Sequence, residues 1–300
     1  MTARAHSLAD LGAIVFCTLA WGSTWYAITL QLGSVDPVAS VVYRFVLAAG
    51  LLFAWLALRR EQVMLTRAQH LEALGLGVST FAINYIFVYW AEARVSSAVV
   101  AVLFASLAFV NLALFRVVFG DRARASAWVA ALLGILGIAI LSWGEIAQAS
   151  FDASAWYGLA LAFVGVAGSA VGNVYARRGQ AIGTPIAAST AWAMLYGVAT
   201  LVALGLVRGV SWRFDMGAPY VLSLLYLSVI GSVVAFLLYY GLARRRGYAT
   251  ASYISALTPP IAMLISAVFE DKHWSLYAYG GVAFVLAGQW LLLRSRNDHN

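Results

Sequence analysis

Charged residues are scarce in this chain of 300 residues, since Asp, Glu, Lys and Arg together make up 10% of the sequence. Soluble domains usually carry about 25% charged residues. That scarcity excludes an ordinary water-soluble globular protein. What the chain has instead is apolar: hydrophobic residues reach 63%, and the mean hydropathy of +0.85 agrees with a protein embedded in a bilayer.

Cysteine and histidine are rare as well. The one cysteine, Cys17, has no partner, which excludes a disulfide framework. The four histidines lie at or beyond the ends of the apolar stretches, and no GxxxxGK loop followed by Ser or Thr is present to hold a nucleotide phosphate. An ATP-driven pump and a membrane-embedded enzyme both need such groups. We therefore expect no enzymatic activity, no cofactor and no bound metal.

Ten apolar stretches fill most of the chain, and each is about long enough to cross a bilayer. A membrane-spanning helix needs roughly 20 largely apolar residues, and no segment between the stretches is long enough to fold as a soluble domain. The sequence therefore predicts an all-α membrane protein with ten transmembrane helices. The predicted spans are 10–31, 38–58, 71–91, 96–117, 126–143, 155–176, 186–207, 219–243, 248–269 and 275–294.

Basic residues lie mostly on one side of this predicted bundle. If the N-terminus is cytoplasmic, 14 of the 19 lysine and arginine residues fall in the inside segments, four in the outside loops and one, Arg44, within span two. Such an excess marks the cytoplasmic loops. Both termini are therefore predicted to be cytoplasmic, in a bacterial inner membrane. The net charge of +7 then follows from topology, and no nucleic-acid partner is expected.

The second half of the chain repeats the first. Segments 89–121 and 239–271 share nine identical residues at a constant offset of 150, ending in Asp121 and Asp271. The sequence thus predicts two five-span repeats, residues 1–150 and 151–300. Because five is odd, the second repeat enters the membrane from the opposite side. Inverted repeats of this kind recur in secondary transporters, with the substrate site between the halves.

Several motifs fall in order along the spans. They are Trp21-Gly22-Ser23-Thr24-Trp25, Pro37 and Tyr43-Arg44-Phe45 in the first half, and Ala251, Leu257-Thr258-Pro259, Phe269-Glu270, Gly280, Gly281 and Gly288 in the second. In these motifs the chain resembles the drug/metabolite transporter superfamily, specifically its ten-span EamA-type permeases, over nearly its whole length. Within that superfamily it is most similar to bacterial aromatic amino acid exporters. The resemblance implies a small-molecule permease.

The chain departs from that pattern in span four, where Phe109 stands at the position of the expected proline. Span nine keeps Pro259 and adds Pro260, and this pair removes two backbone donors. A kink is therefore predicted in span nine at the proline pair. Freed carbonyls near a kink need other partners, which makes span nine a candidate hinge or solvent-lined helix.

Polar and aromatic side chains form stripes on spans one, three, four, six, eight and nine when residues are placed at 100° intervals. Neutral hydrogen-bonding groups mixed with aromatic rings suit a mid-sized, partly apolar solute. The alternative is that these groups only bond one helix to another. The predicted cavity residues are Thr18, Trp21, Trp25, Thr80, Phe81, Asn84, Tyr85, Phe104, Asn111, Ser169, Asn173, Ser232, Tyr239, Ser252 and Pro259.

Arg44 is the one ionised side chain that the sequence places deep within a span. Charges inside a bilayer are costly and usually face the bundle interior or water. Two interpretations are open. Arg44 anchors the carboxylate of a substrate, or it is a structural hydrogen-bond hub or a side chain that extends to the outer interface.

Acidic residues, in contrast, lie clearly inside none of the predicted spans, because Glu92 and Glu270 fall at span ends. Transporters driven by protons commonly carry an intramembrane acid or histidine. The sequence therefore predicts a facilitator or exchanger that moves its substrate down a gradient, with little dependence on protons. The alternative is weak proton coupling through Glu92 or Glu270 near the span ends.

Together these patterns predict a secondary transporter that exports amino acids, with aromatic and other neutral ones favoured, by alternating access. The alternatives are an exporter of drugs or other amphipathic metabolites, and a membrane sensor that transports nothing. The predicted partners are the small-molecule substrate and the lipid bilayer. Small residues on spans five and ten predict close packing at the periphery or a homodimer contact.

The arginine asymmetry generates a prediction about topology. Reporter tags at the N-terminus, within 118–124 and at the C-terminus should report the cytoplasm, and tags within 145–153 and 209–217 the periplasm. Tag accessibility in intact cells measures this directly. A periplasmic C-terminus would contradict the ten-span, inverted-repeat arrangement.

Overall fold

The computed structural model describes residues 2–121, 125–148, 153–270 and 274–297. All regular secondary structure in these ranges is helical, and ten helices follow one another through them. They are α1 Thr2–Thr29, α2 Pro37–Arg59, α3 Arg67–Glu92, α4 Ser97–Phe119, α5 Ala125–Gln148, α6 Ala153–Ala181, α7 Ile186–Arg208, α8 Ala218–Arg246, α9 Tyr253–Phe269 and α10 Leu276–Asn297. The predicted all-α, ten-helix membrane fold is confirmed.

The helices match the predicted spans closely and extend beyond some of them. Helices α1 to α4 and α6 to α8 are each long and apolar enough to cross a membrane, while α9 and α10 contain the shorter apolar stretches Leu257–Phe269 and Leu276–Gly288. Helix α1 begins before its predicted span, α3 begins at Arg67 and α6 continues to Ala181. All three extensions lie at the same end of the bundle.

Local sequence sets where several helices begin and end. The Asp36 carboxylate accepts a hydrogen bond from the backbone N–H of Val38 at 2.8 Å, and Pro37 takes the first helical position of α2, where an N–H is not needed. Thr66 and Gln69 form a reciprocal capping box at the start of α3. These side chains satisfy backbone donors that a helix leaves unpaired at its start.

Ion pairs join helices at the end of the bundle where α1 starts, which we call the near end. Asp10 of α1 lies 2.9 Å from Arg245 and 2.6 Å from Arg246 of α8. Glu72 of α3 lies 3.0 Å from Arg178 of α6. The near end is the one predicted to be cytoplasmic.

The opposite end, which we call the far end, is joined mainly by hydrogen bonds. The Tyr89 hydroxyl of α3 donates to Oε1 of Gln31, just after α1, at 2.7 Å. The Ser97 hydroxyl at the start of α4 donates to the Glu270 carboxylate, just after α9, at 2.9 Å. Helices α1, α3, α4 and α9 are thus drawn together at the far end.

Two helices widen into π-helical turns, which the sequence pattern does not predict. The segments are Gly77–Asn84 in α3 and Val229–Val234 in α8, the third helix of each half, and they end at the same offset of 150 residues. In α8 the Ser232 hydroxyl donates to the carbonyl of Leu227, five residues back, at 2.9 Å. Such wide turns are frequent at functional sites.

The fourth helix of each half is interrupted. Helix α4 breaks at Ala105 and Ser106, although no proline stands there, and a single turn, Tyr248–Ala251, precedes α9 and is separated from it by Ser252. An interruption in the fourth helix therefore accompanies the π-helical turn of the third helix in both halves, although the two breaks differ in position by a few residues.

The proline pair of α9 lies within a continuous helix, so the interruption falls at Ser252 rather than at Pro259 and Pro260. Pro259 cannot donate to the carbonyl of Ser255, one turn back. The Thr258 hydroxyl donates to that carbonyl instead, at 2.9 Å. A side chain thus satisfies the backbone acceptor that the proline leaves open, as a membrane environment requires.

Helices α5 and α10 pack on each other through their small residues. A Cβ atom at Gly137 would lie 2.5 Å from the carbonyl oxygen of Gly281, and one at Gly288 would lie 2.6 Å from that of Ala130. The small faces are therefore covered within one chain. A homodimer through these two helices, which stays a prediction, would have to use their other faces.

The contact between α3 and α7 generates a prediction about stability. A Cβ atom at Gly77 would collide with the carbonyl oxygen of Ala193 and lie 2.9 Å from Cβ of Tyr196, whereas one at Gly50 of α2 would meet nothing within 4 Å. Gly77→Ala should therefore destabilise the fold by about 1–3 kcal/mol, and Gly50→Ala should not. Thermal unfolding in detergent measures both, and equal stability of the two variants would contradict the close approach.

Candidate functional site

A cavity lies inside the bundle, enclosed by α1, α3, α4, α6, α8 and α9, and Arg44 of α2 completes its wall. The cavity has a volume of about 80 Å³, smaller than the roughly 300–1,000 Å³ usual for small-molecule pockets. These six helices are the ones on which the sequence places polar and aromatic stripes. The inward faces of the six stripes therefore meet at one place.

Many of the predicted cavity residues line this space. They come from α1, α3, α4, α6 and α8, and comprise Trp21, Trp25, Asn84, Tyr85, Phe104, Ser169, Asn173 and Tyr239. Arg44 lines the space with them. The structure thus brings together residues separated by more than two hundred positions in the sequence.

The other predicted cavity residues are buried close by without lining the space. Phe81 packs edge to face against Phe45 and Phe236, at ring distances of 5.1 and 4.9 Å. Thr80 lies where α3 crosses Gly172 of α6, at a contact too close for any side chain at that glycine. The residues of this group are Thr18, Thr80, Phe81, Asn111, Ser232, Ser252 and Pro259.

Aromatic rings form one side of the cavity. Trp25 of α1 packs against Phe104 of α4, with ring centres 5.0 Å apart. Trp21, one turn earlier, lies 5.4 Å from Phe236 and 5.2 Å from Tyr239 of α8. Rings at these distances and angles present both faces and edges. This wall suits an apolar or aromatic body.

Arg44 supplies the positive charge of the cavity wall. The side chain is 1% exposed; its Nε donates to the Ser232 hydroxyl at 2.9 Å and its Nη2 to the Tyr85 hydroxyl at 3.5 Å. The guanidinium carbon lies 4.6 Å from the centre of the Tyr85 ring, a cation–π distance. Nη1 has no hydrogen-bond partner, and Arg44 forms no ion pair within the described ranges.

These contacts combine both interpretations of Arg44 that the sequence leaves open. Nε and Nη2 hold α2 against α8 and α3, as a structural hub would. Arg44 lines the cavity, and its Nη1 is a buried donor without a partner. A guanidinium binds a carboxylate strongly through charge-assisted hydrogen bonds. Chemically, the site can hold an anionic group beside an aromatic wall.

The π-helical turn of α8 makes this arrangement possible. Its widened turn brings the Ser232 hydroxyl to Arg44 and frees the carbonyl of Gly231 to accept the indole N–H of Trp21 at 3.1 Å. A Cβ atom at Gly231 would lie 2.6 Å from Cγ2 of Thr24 and 3.3 Å from the guanidinium. Glycine is therefore required where α1, α2 and α8 meet.

Asparagine side chains bridge three helices on the near-end side of the cavity. Nδ2 of Asn111 in α4 donates to the Ser252 hydroxyl at 2.9 Å, and Nδ2 of Asn173 in α6 donates to Oδ1 of Asn111 at 3.4 Å. The Ser252 hydroxyl donates in turn to the carbonyl of Tyr248 at 2.7 Å. Asn111 and Ser252 therefore fit the alternative in which the polar side chains of the stripes form hydrogen bonds between helices.

Several lining residues are absent from the predicted set. Some continue a predicted stripe by one turn: Ile28 follows Trp25, and Leu107 follows Phe104, each by three residues. Extending those two stripes by one helical turn would have found both residues. The residues of this group are Thr24, Ile28, Val88, Leu107, Phe236, Tyr240, Ser255 and Thr258.

Known proteins resemble the chain over nearly its whole length. Residues 9–143 and 156–294 each match the model of the EamA-like transporter family. The sequence is 28% identical over 256 residues to "Uncharacterized inner membrane transporter YedA" of Escherichia coli (strain K12), covering 85% of this chain and 80% of that protein. It is 21% identical over 289 residues to "Protein PagO" of Salmonella typhimurium, covering 93% of this chain and 91% of that protein.

A solved structure supports the same architecture. A crystal structure with 18% sequence identity superposes with a TM-score of 0.74, covering 98% of this chain and 99% of that one. At this identity the likeness shows the fold alone.

The contact between Ser232 and Arg44 generates a prediction about stability. Ser232→Ala should destabilise the protein by about 1–3 kcal/mol, because it leaves the buried Nε of Arg44 without its acceptor. Ser228 offers a matched control one turn earlier in α8, since its hydroxyl is buried and has no partner. Ser228→Ala should change stability little. Equal losses on thermal unfolding in detergent would show that Ser232 does not support Arg44.

Proposed function

The chain belongs to the EamA-like transporter family, and on that premise we propose that it exports amino acids across the bacterial inner membrane by alternating access. Aromatic and other neutral amino acids are the favoured substrates. A membrane transporter requires a small-molecule substrate and a lipid environment. The near end, which carries both termini, faces the cytoplasm in this proposal, and residues 1–150 and 151–300 are the two halves that move against each other.

The observation that carries the proposal is the unpaired Nη1 of Arg44, a residue that lines an aromatic cavity. A buried positive charge without an anionic partner is costly. A carboxylate from the solute compensates it, and the guanidinium then discriminates in favour of solutes that carry one. The rings of Trp25 and Phe104 surround the apolar part of the same solute.

The cavity also offers an acceptor for the ammonium group of an amino acid. Asn84 lines the cavity, and its buried Oδ1 has no hydrogen-bond partner. The same wall carries neutral hydroxyls, among them that of Ser169, and Arg44 is its charged member. The Arg44 guanidinium can bind the carboxylate of a zwitterion, and Oδ1 of Asn84 can accept a hydrogen bond from its ammonium group. A solute with only a positive charge would be repelled by Arg44.

Export of drugs or other amphipathic compounds is the alternative within the same class. The aromatic wall alone suits such compounds as well. Arg44 separates the two proposals, because an amphipathic amine or neutral drug leaves its charge uncompensated. A sensor that transports nothing is the third alternative, and it predicts no flux.

The proposal predicts a strong preference for the carboxylate. In liposomes that contain only this protein, L-phenylalanine should cross at least about tenfold faster than phenethylamine, which lacks the carboxylate; tenfold corresponds to about 1.4 kcal/mol, less than one charge-assisted hydrogen bond. Arg44→Gln should remove most of that preference. Arg213→Gln, in the exposed loop before α8, is the control that removes a positive charge outside the cavity and should keep it.

Each other outcome has a definite meaning. Equal flux of the two compounds in the wild type would favour the amphipathic-compound alternative. Flux of neither compound, nor of any member of a panel of neutral amino acids, would contradict amino acid export. Size-exclusion profiles of both variants separate loss of selectivity from loss of fold.

A further inference from the structure

The far end of α3 buries a carboxylate that the cavity does not use. Glu92 is 7% exposed, and neither of its oxygens has a hydrogen-bond partner. The sequence places it at a span end, where water or the interface would surround it; the structure encloses it between helices. An ionised carboxylate without a donor is costly to bury, and a buried acid in a transporter calls for a functional explanation.

A second carboxylate lies at the same end of the bundle with donors already in place. Glu270, just after α9, accepts hydrogen bonds from the hydroxyls of Ser97 and Ser266. Glu92 has no such donor. Burial disfavours the charged form of a carboxyl group, so a buried carboxyl group without donors favours its protonated form.

The other charged and titratable groups around Glu92 do not compensate it. Arg44 of α2 forms no ion pair with Glu92. Tyr89 lies one turn earlier on α3, and its hydroxyl donates to Gln31 instead. Through Tyr85 and Tyr89, which share a face of α3 with Glu92, a column of polar side chains leads from Arg44 towards the far end.

The far end is closed around this acid. Gln31 and Tyr89 are fully buried, and Ser97 is 1% exposed. Tyr26 of α1 stacks on Phe269 of α9, with ring centres 5.2 Å apart. Separation of α1, α3, α4 and α9, as alternating access requires for release at this end, would bring water to Glu92.

We propose that Glu92 is a proton-binding site of the far end, protonated while this end is closed and ionised when it opens. One proton leaves the Glu92 carboxyl group for water as the far end opens, and one returns from water as it closes. No bond other than this O–H bond forms or breaks. Closure is thereby linked to the proton concentration at the far end. This proposal departs from the proton-independent transport that the sequence predicts, because Glu92 is buried although it lies at a span end.

The protonated state can be tested without any substrate. Infrared spectra of the full-length protein in lipid nanodiscs are recorded between about pH 5 and pH 8. This pH window lies above the pKa of about 4.3 at which exposed glutamates bind protons. The wild type should show the carbonyl stretch of a protonated carboxylic acid. Glu92→Gln should lose that band. Glu61→Gln, which alters an exposed glutamate after α2, should keep it.

Glu92→Asp provides a second variant should Glu92→Gln fail to fold. It retains an acid, so the band should persist at a shifted frequency. Absence of the band in the wild type, or an unchanged band in the folded Glu92 variants, would overturn the proposal. Neither result depends on what the protein transports.

Flux measurements test the link to opening, and this part rests on the proposed function. With the pH changed equally on both sides of the liposomes, L-phenylalanine flux in the wild type should fall as the pH is lowered, by at most about tenfold per pH unit for one proton. Flux in Glu92→Gln should not depend on pH in this range. The same pH profile in both proteins would contradict the link, whereas no phenylalanine flux at any pH would contradict amino acid export and leave the infrared result decisive for Glu92.

Discussion

A guanidinium enclosed among apolar helices is the constraint on which the arrangement of the cavity depends. Arg44 cannot give up its charge, so the surrounding helices must supply acceptors and an aromatic face. The Ser232 hydroxyl and the Tyr85 ring do so from α8 and α3. Both helices widen into π-helical turns next to these residues, and Gly231 lets the backbone of α8 approach closely. One donor of Arg44 remains for a solute.

The irregular helices are also a response to the membrane. A bilayer offers no water to unpaired backbone groups, so a widened or interrupted helix must find partners inside the bundle. Ser232 and Thr258 each donate to a carbonyl of their own helix, and Trp21 donates to Gly231. Because these partners exist, helices α8 and α9 can depart from regular geometry beside the cavity. The departures recur in the third and fourth helices of both halves.

Hydropathy predicted the ten helices well, because length and apolar composition determine what can cross a bilayer. The cavity was predicted less completely. A spacing of 100° per residue assumes a regular α-helix, and the π-helical turn shifts this phase within Gly77–Asn84. Thr80 and Phe81 lie in that turn and pack against neighbouring helices, whereas Asn84 and Tyr85 at its end line the cavity.

The burial of Glu92 at the end of α3 could not be predicted from the sequence, for a different reason. The position of Glu92 in the sequence indicates a helix end, but whether that end meets water depends on which helices cover it. Here Glu92 is 7% exposed, and hydrogen bonds between residues distant in the sequence, from Tyr89 to Gln31 and from Ser97 to Glu270, join the helices at this end. Hydropathy alone carries no information about such contacts.

The most direct test of the central claim, that Arg44 anchors a carboxylate within the aromatic cavity, is a crystal structure of the protein with 4-bromo-L-phenylalanine. The anomalous signal of bromine locates the ring independently of the protein. We predict bromine beside Trp25 and Phe104, with the carboxylate bonded to Nη1 of Arg44. Bromine outside the cavity, or a carboxylate directed away from Arg44, would contradict the claim.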